Sequence, residues 1–288
     1  MAKQFDATLN SMIDVRSGDW AACFARLTGI PPGPSVSLDT DLATTLQADK
    51  LFRIDGERPS LLHLELQSNS RLGIPAELMR YNVLAGHQQN LPVETVLVLL
   101  RPRAIASDMT GVFRRVGVNG NLILEFRYHV ERVWERSSQF WLDAGVGLAP
   151  LSLLTDEADA DLETALVRFN ASLQSRGIDE ATTKSLLGSS YVLCGLRYER
   201  DRIANAYRRL SMLLEDSTTY QEILNKGISQ GISQGERHTL LKLGTKRFGP
   251  PSQAIMDTLQ GIADPAILDR LIDRVLDAAG WDDLLCAD

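Results

Sequence analysis

The chain has 288 residues, 44% apolar and 23% charged, enough for one large domain or two to three small ones around a sizeable core. Its formal net charge of -7 excludes a molecule-wide electrostatic pull on a polyanion. The acidity is lopsided: residues 151–288 hold 15 of the 30 Lys/Arg but 21 of the 37 Asp/Glu, so any nucleic-acid surface in the near-neutral first half has to be a local patch. Cys23, Cys194 and Cys286 lie far apart with no C-x-x-C pair, which points to buried or incidental thiols in a reducing compartment and not to a zinc knuckle or disulfide framework. The opening residues, Met1 to Asp6, contain no apolar signal core. No apolar run approaches the roughly 18 residues of a membrane span, so we expect a cytoplasmic protein with no membrane partner.

In chain order, Phe5, Leu9, Met12 and Ile13 recur at helical spacing, and Trp20, Phe24 and Leu27 predict a second helix that ends before Pro31 and Pro32. Residues 47–54 and 60–67 read as two strands around the turn-rich loop Asp55–Pro59. Pro75 opens a helix to about Gln89. Glu94 to Leu100 is a nearly continuous apolar strand of the kind buried on both faces, and another strand falls near Leu122–Tyr128. This order predicts a mixed α/β domain over residues 1–150.

Residues 151–226 read as a helical extension, with breaks at Gly177 and Gly188. Gly227, Gly231 and Gly235 then repeat every four residues. Either a helix with one glycine stripe or a flexible linker accounts for them, since glycine costs a helix about 1 kcal/mol per residue. A small helical module fills the remainder of 227–288, with a break at Gly249, Pro250 and Pro251.

The chemistry concentrates on the hairpin. Alternation puts Leu62, Leu64 and Leu66 on one strand face and His63, Glu65 and Gln67 on the other. A loop symmetric about Glu57 places Asp49 opposite Glu65 and Gln47 opposite Gln67. Two carboxylates about 5 Å apart across a hairpin repel, and a shared proton, a nearby Lys50 or Arg53, or a bound cation such as Mg²⁺ answers that repulsion. The alternative is a solvated polar strand face. A register slip of one residue would part the two groups.

Asp49, then Glu65-Leu66-Gln67 after 15 intervening residues, resembles the PD-(D/E)xK nuclease signature. More narrowly it resembles the recombination-promoting nuclease (Rpn) and transposase-like group, in which glutamine commonly replaces the final lysine. Phe5 to Leu9, His63 to Ser68, Arg80-Tyr81-Asn82 and Val96 to Pro102 resemble that group's opening helix, catalytic strand, following helix and next core strand. The likeness covers residues 5–150 best, and Arg247-Phe248-Gly249 resembles an element of the helical domain often fused to it.

The resemblance implies a restriction-endonuclease-like core and Mg²⁺-dependent DNA cleavage, with Mn²⁺ as a substitute. Asp49 and Glu65 would be metal ligands together with the Leu66 carbonyl, and the activity would be linked to recombination or mobile elements. Gln67 stands at the catalytic lysine position, where a neutral amide orients water or hydrogen-bonds but carries no charge. Asp6 reads either as a further acidic group or as a helix cap.

Other candidates each carry two readings. His63 is a phosphate contact or a satisfied strand residue. Arg80 and Tyr81 are a phosphate clamp with its buttress, or a surface charge with a core aromatic. Arg101, Arg103, Arg114 and Arg115, the most basic stretch of the first half, are a backbone-tracking patch or solvated loop charge. No phosphate-binding glycine loop and no H-E-x-x-H is present. Two functions therefore stand: a Mg²⁺-dependent DNA endonuclease, and a catalytically weak nuclease-fold module whose helical C-terminal half mediates homo-oligomer assembly.

Overall fold

The computed structural model describes residues 2–31, 33–38, 41–43, 46–47, 49–117, 120–213, 218–262, 264–275 and 277–285; for 2–7, 41–43, 46–47, 213, 218–224 and 230 it describes the backbone alone. The chain is mixed α/β with a helical C-terminal half. Its elements are α1 (Ala2–Val15), α2 (Ser17–Thr28), β1 (Ser35–Leu38), β2 (Asp41–Ala43), β3 (Leu46–Gln47), β4 (Lys50–Ile54), β5 (Ser60–Gln67), α3 (Ile74–Gln89), β6 (Val93–Leu99), β7 (Val112–Val116), β8 (Leu122–Arg127) and β9 (His129–Arg132). There follow α4 (Ser138–Ala144), a 3-10 segment (Val146–Leu154), α5 (Asp156–Ala160), α6 (Leu162–Ser175), α7 (Glu180–Cys194), α8 (Arg200–Leu213), α9 (Thr218–Phe248), α10 (Gln253–Gly261), α11 (Pro265–Arg274) and α12 (Trp281–Leu285). No helix among the described residues is long and apolar enough to cross a membrane. Two compact units divide the chain: Ile13–Ser172, and Met1–Met12 with Leu173–Asp288.

The first unit is built on a five-stranded mixed sheet in the order β1-β4-β5-β6-β9. β1, β4 and β5 pair antiparallel, and β6 runs parallel to both β5 and β9. The β4–β5 register runs from Lys50↔Leu64 to Ile54↔Ser60, symmetric about Glu57 as the loop predicts. One correction falls at its start: β4 begins at Lys50, and Gln47 pairs with Asp41 in the separate β2–β3 ribbon instead of lying opposite Gln67.

Alternation then sorts the sheet's side chains. Leu61, Leu97 and Leu99 bury against α3 through Ile74, Leu78, Tyr81 and Ala85. Phe52, Leu62, Leu64, Val96 and Val98 on the other face are fully buried, and α2 packs on β5 and β6. Parallel strands joined by a helix require such two-sided cover, which is why β6 reads as an unbroken apolar run. β9 carries the buried Glu131, whose carboxylate takes two hydrogen bonds from Arg136 (2.7 and 2.9 Å) and meets His129 Nε2 at 3.1 Å. Burial opposes its ionisation, but Arg136 and His129 outweigh that and hold its carboxyl below the ordinary range.

In the second unit α7 and α9 cross at glycines. A Cβ on Gly188 would collide with the Gly227 carbonyl oxygen, and one on Gly231 would lie 2.6 Å from Gly188 backbone atoms. Gly188 is therefore the contact point of α7 and not a break in it, and the repeat is a glycine-striped helix and not a linker. Only hydrogen at these positions lets the two backbones approach so closely. Further along α9, Gly244 accepts the Trp281 ring, whose Nε1–H donates to the Gly249 carbonyl at 2.9 Å. Leu240, Leu259, Leu268, Leu271, Trp281 and Leu284 form the core of this terminal helical module.

A candidate two-carboxylate site at the end of strand β5

The site lies where β5 runs out beside β6. Glu65 and Gln67 share a strand face, and the Gln67 amide nitrogen donates to Glu65 Oε1 at 3.0 Å. Asp49 sits just before β4. Its Oδ2 accepts a 2.8 Å hydrogen bond from the Leu66 amide, so the aspartate is fastened to β5 by backbone and not by direct strand pairing. The three residues read from the sequence thus lie together, and the fourth, Leu66, contributes its N–H to the arrangement.

Glu65 is half-buried, and its carboxyl is pushed well above the ordinary range, first by burial and then by the Asp49 charge. The Gln67 hydrogen bond opposes that shift without cancelling it. Two acids so close oppose each other's ionisation, which is the direction in which the Asp49 charge moves Glu65.

The surrounding cations are engaged elsewhere. Lys50, next to Asp49, pairs with Asp14 at 2.6 Å. Arg71 reaches Glu65 electrostatically but is held by Glu77 through two hydrogen bonds of 2.6 and 2.7 Å. Arg101 ties the end of β6 to the loop after β5, donating to the Ser68 carbonyl and Asn69 Oδ1. The left-handed Gly73 (φ 90°) turns that loop into α3, and its N–H donates to Asp108 Oδ2 at 2.7 Å.

The remaining candidates separate. His63 shares the face of Glu65, but that face is covered and not solvated: His63 is 1% exposed, stacked on Tyr81 with centroids 4.4 Å apart. Its Nδ1 lies 3.3 Å from Thr95 Oγ1, while Nε2 has no hydrogen-bond partner. Burial pushes its pKa down to about 3, so the ring is neutral. Asn82 completes the group, donating to Thr95 Oγ1 at 3.0 Å and to the Val93 carbonyl at 2.8 Å. Tyr81 is therefore a core aromatic under the site, and Arg80 is exposed on α3. The side chain of Asp6 lies outside the described residues. Sequence reasoning missed the buried carboxylate Glu131; its neighbours His129 and Arg136 were visible, but nothing in the spacing marked β9 as a core strand.

Two neighbouring carboxylates that oppose each other's ionisation fit a small divalent cation, since Mg²⁺ takes oxygen donors and usually keeps several waters. Asp49 and Glu65 are the residues that would hold it. Among the described residues no third His, Cys, Asp or Glu joins them in a metal-binding cluster. No protein-family model, curated protein or solved structure matches this chain.

Proposed function

We propose that this chain is a Mg²⁺-dependent nuclease acting on DNA phosphodiester bonds, with Asp49, Glu65 and Gln67 as its active site on a restriction-endonuclease-like core. The observation that supports it best is the raised carboxyl of Glu65 beside Asp49, a charge deficit that a divalent cation answers. The order of helix, hairpin, helix and core strand, together with the Asp49/Glu65/Gln67 spacing, supports the nuclease assignment.

In this reading the Leu66 amide fixes Asp49 beside Glu65, where the two carboxylates would hold the cation. Gln67 orients Glu65 by hydrogen bonding and thereby favours its ionised form. A cation bound there supplies Lewis-acid activation of the phosphate and of water. Arg71 acts on Glu65 electrostatically and, on leaving Glu77, would meet a phosphate oxygen.

The test uses purified full-length protein and supercoiled plasmid with Mg²⁺, Mn²⁺ or chelator. Nicking that requires the metal and disappears in Asp49→Ala and Glu65→Ala supports the reading; equal nicking in those variants sinks it. The second reading, a nuclease-fold assembly module without strong catalysis, draws on one observation, the commitment of neutral Gln67 to Glu65. Calorimetry in which neither Mg²⁺ nor Mn²⁺ binds would favour it.

A further inference from the structure

We infer that the β7–β8 ribbon is an arm that grips duplex DNA through its groove. β7 and β8 hydrogen-bond to each other and form a two-stranded sheet separate from the main one. The base of the ribbon is anchored: Phe126 packs on the α3-side core and stacks on Tyr128 at 5.7 Å, and the Tyr128 N–H donates to the Gly111 carbonyl at 3.0 Å.

The outer half is different. Val116, Leu122 and Ile123 are 65%, 55% and 70% exposed, and Val116 and Leu122 are paired across the strands. Single exposed apolar residues are ordinary, but three of them within one cross-strand step at the loop end of the ribbon mark a binding surface. Arginines line the strands behind it. Arg114 and Arg127 flank Glu125 at 2.8 and 2.9 Å, and the Arg115 guanidinium lies 6.0 Å over the Phe113 ring. Three arginines against one glutamate make this ribbon basic in a chain of net charge -7.

The charge selects the partner. Pairing of two copies arm to arm would set guanidinium against guanidinium, which disfavours a second copy of the ribbon as its occupant. A polyanion suits it. The B-form major groove, about 12 Å wide, admits a two-stranded ribbon, offers thymine methyls to an apolar tip and sets phosphates on both sides for arginines. Duplex RNA lacks such an open major groove. The inference shares its substrate with the proposed cleavage and rests on that reading for what the grip serves, but binding is measured without cleavage.

Fluorescence anisotropy of a labelled DNA duplex, with chelator and across a KCl series, tests it on the full-length protein. We expect Arg114→Gln/Arg115→Gln/Arg127→Gln to weaken binding at least about tenfold and to flatten the salt slope by about 0.9 for each phosphate that an arginine no longer neutralises. Val116→Ser/Leu122→Ser/Ile123→Ser is expected to weaken binding with the slope unchanged, and Arg270→Gln, at an exposed arginine of α11, to bind as wild type. Circular dichroism checks that each variant is folded. Unchanged affinity and slope in the arginine variant overturns the inference. So does wild-type self-association, seen by sedimentation, that the serine variant abolishes while DNA affinity stays the same. Loss of binding in the arm variants alongside plasmid nicking that survives Asp49→Ala would keep the arm and remove the active-site assignment.

Discussion

The Leu66 amide donates to Asp49 Oδ2 at 2.8 Å, so the backbone of the strand that carries Glu65 also fixes the position of its partner carboxylate. The fold itself holds the two acids together. Their mutual repulsion is then borne by Glu65, whose carboxyl keeps its proton above the usual range.

Metal binding should release that proton. Mn²⁺ titrations by calorimetry in two buffers of different ionisation enthalpy give the number released. We expect release that is greatest below the Glu65 transition and falls as the pH rises through it. In Gln67→Lys an ammonium replaces the amide beside Glu65, lowers its pKa and reduces the release. A pH-independent value of zero in the wild type would contradict the shared proton.

The same group makes stability depend on pH. Because the folded pKa of Glu65 lies above its unfolded value, the native state binds more protons in the interval between them, and stability falls as pH rises through it. Glu65→Gln removes this dependence. Its melting temperature should exceed that of the wild type at pH 8, with a smaller gap at pH 5. Each kcal/mol corresponds to about 2–4 °C for a domain of 150–250 residues. Equal gaps at both values would show that the substitution acts through packing alone.

His63 has the opposite sign. Its folded pKa, pushed down to about 3, lies below the unfolded reference of about 6.5. Between these values the unfolded chain carries a proton that the native ring refuses, so stability is lost as the pH falls, by about 1.4 kcal/mol per pH unit well inside the window. His63→Phe keeps a ring against Tyr81 and removes the titration. Urea unfolding between pH 7 and pH 5 should show a shallower loss for this variant than for the wild type.

Gly188→Ala offers a test of the helix crossing. On propensity alone alanine should stabilise α7 by about 1 kcal/mol. At this position its Cβ meets the Gly227 carbonyl, and we expect a net loss of about 1–3 kcal/mol, the usual cost of overpacking. Gly177→Ala, at a φ of 58° with no neighbour to collide with, separates backbone strain from collision. Stabilisation by Gly188→Ala in denaturant unfolding would contradict the close approach.

The hairpin is legible in the sequence because its signals are local: a symmetric loop sets the register, and period-two alternation sets the face. What covers that face is not legible, because the cover comes from α3, which reaches His63 through Tyr81 only after β6 has paired with β5. β9 is hard to see because it is short, follows β8 almost at once and buries a glutamate where a strand pattern calls for an apolar residue. Gly188 misleads for a related reason. Glycine marks a helix end when only its own segment is considered, and its role here is defined by Gly227 and Gly231 on another helix. In the candidate site, the spacing brings Asp49 and Glu65 to one place, while the Leu66 amide that fastens them has no signature in side-chain identity.

The grouping of Met1–Met12 with Leu173–Asp288 has a consequence for the order of events on the ribosome. Residues 13–172 are synthesised as a continuous stretch that contains every strand of the main sheet, whereas the other unit is complete only after residues 173–288 are made. Leu9 and Met12, fully buried in the finished molecule, are made before that sheet but share their unit with residues not yet synthesised. At about 5–20 residues per second the wait is on the order of ten seconds.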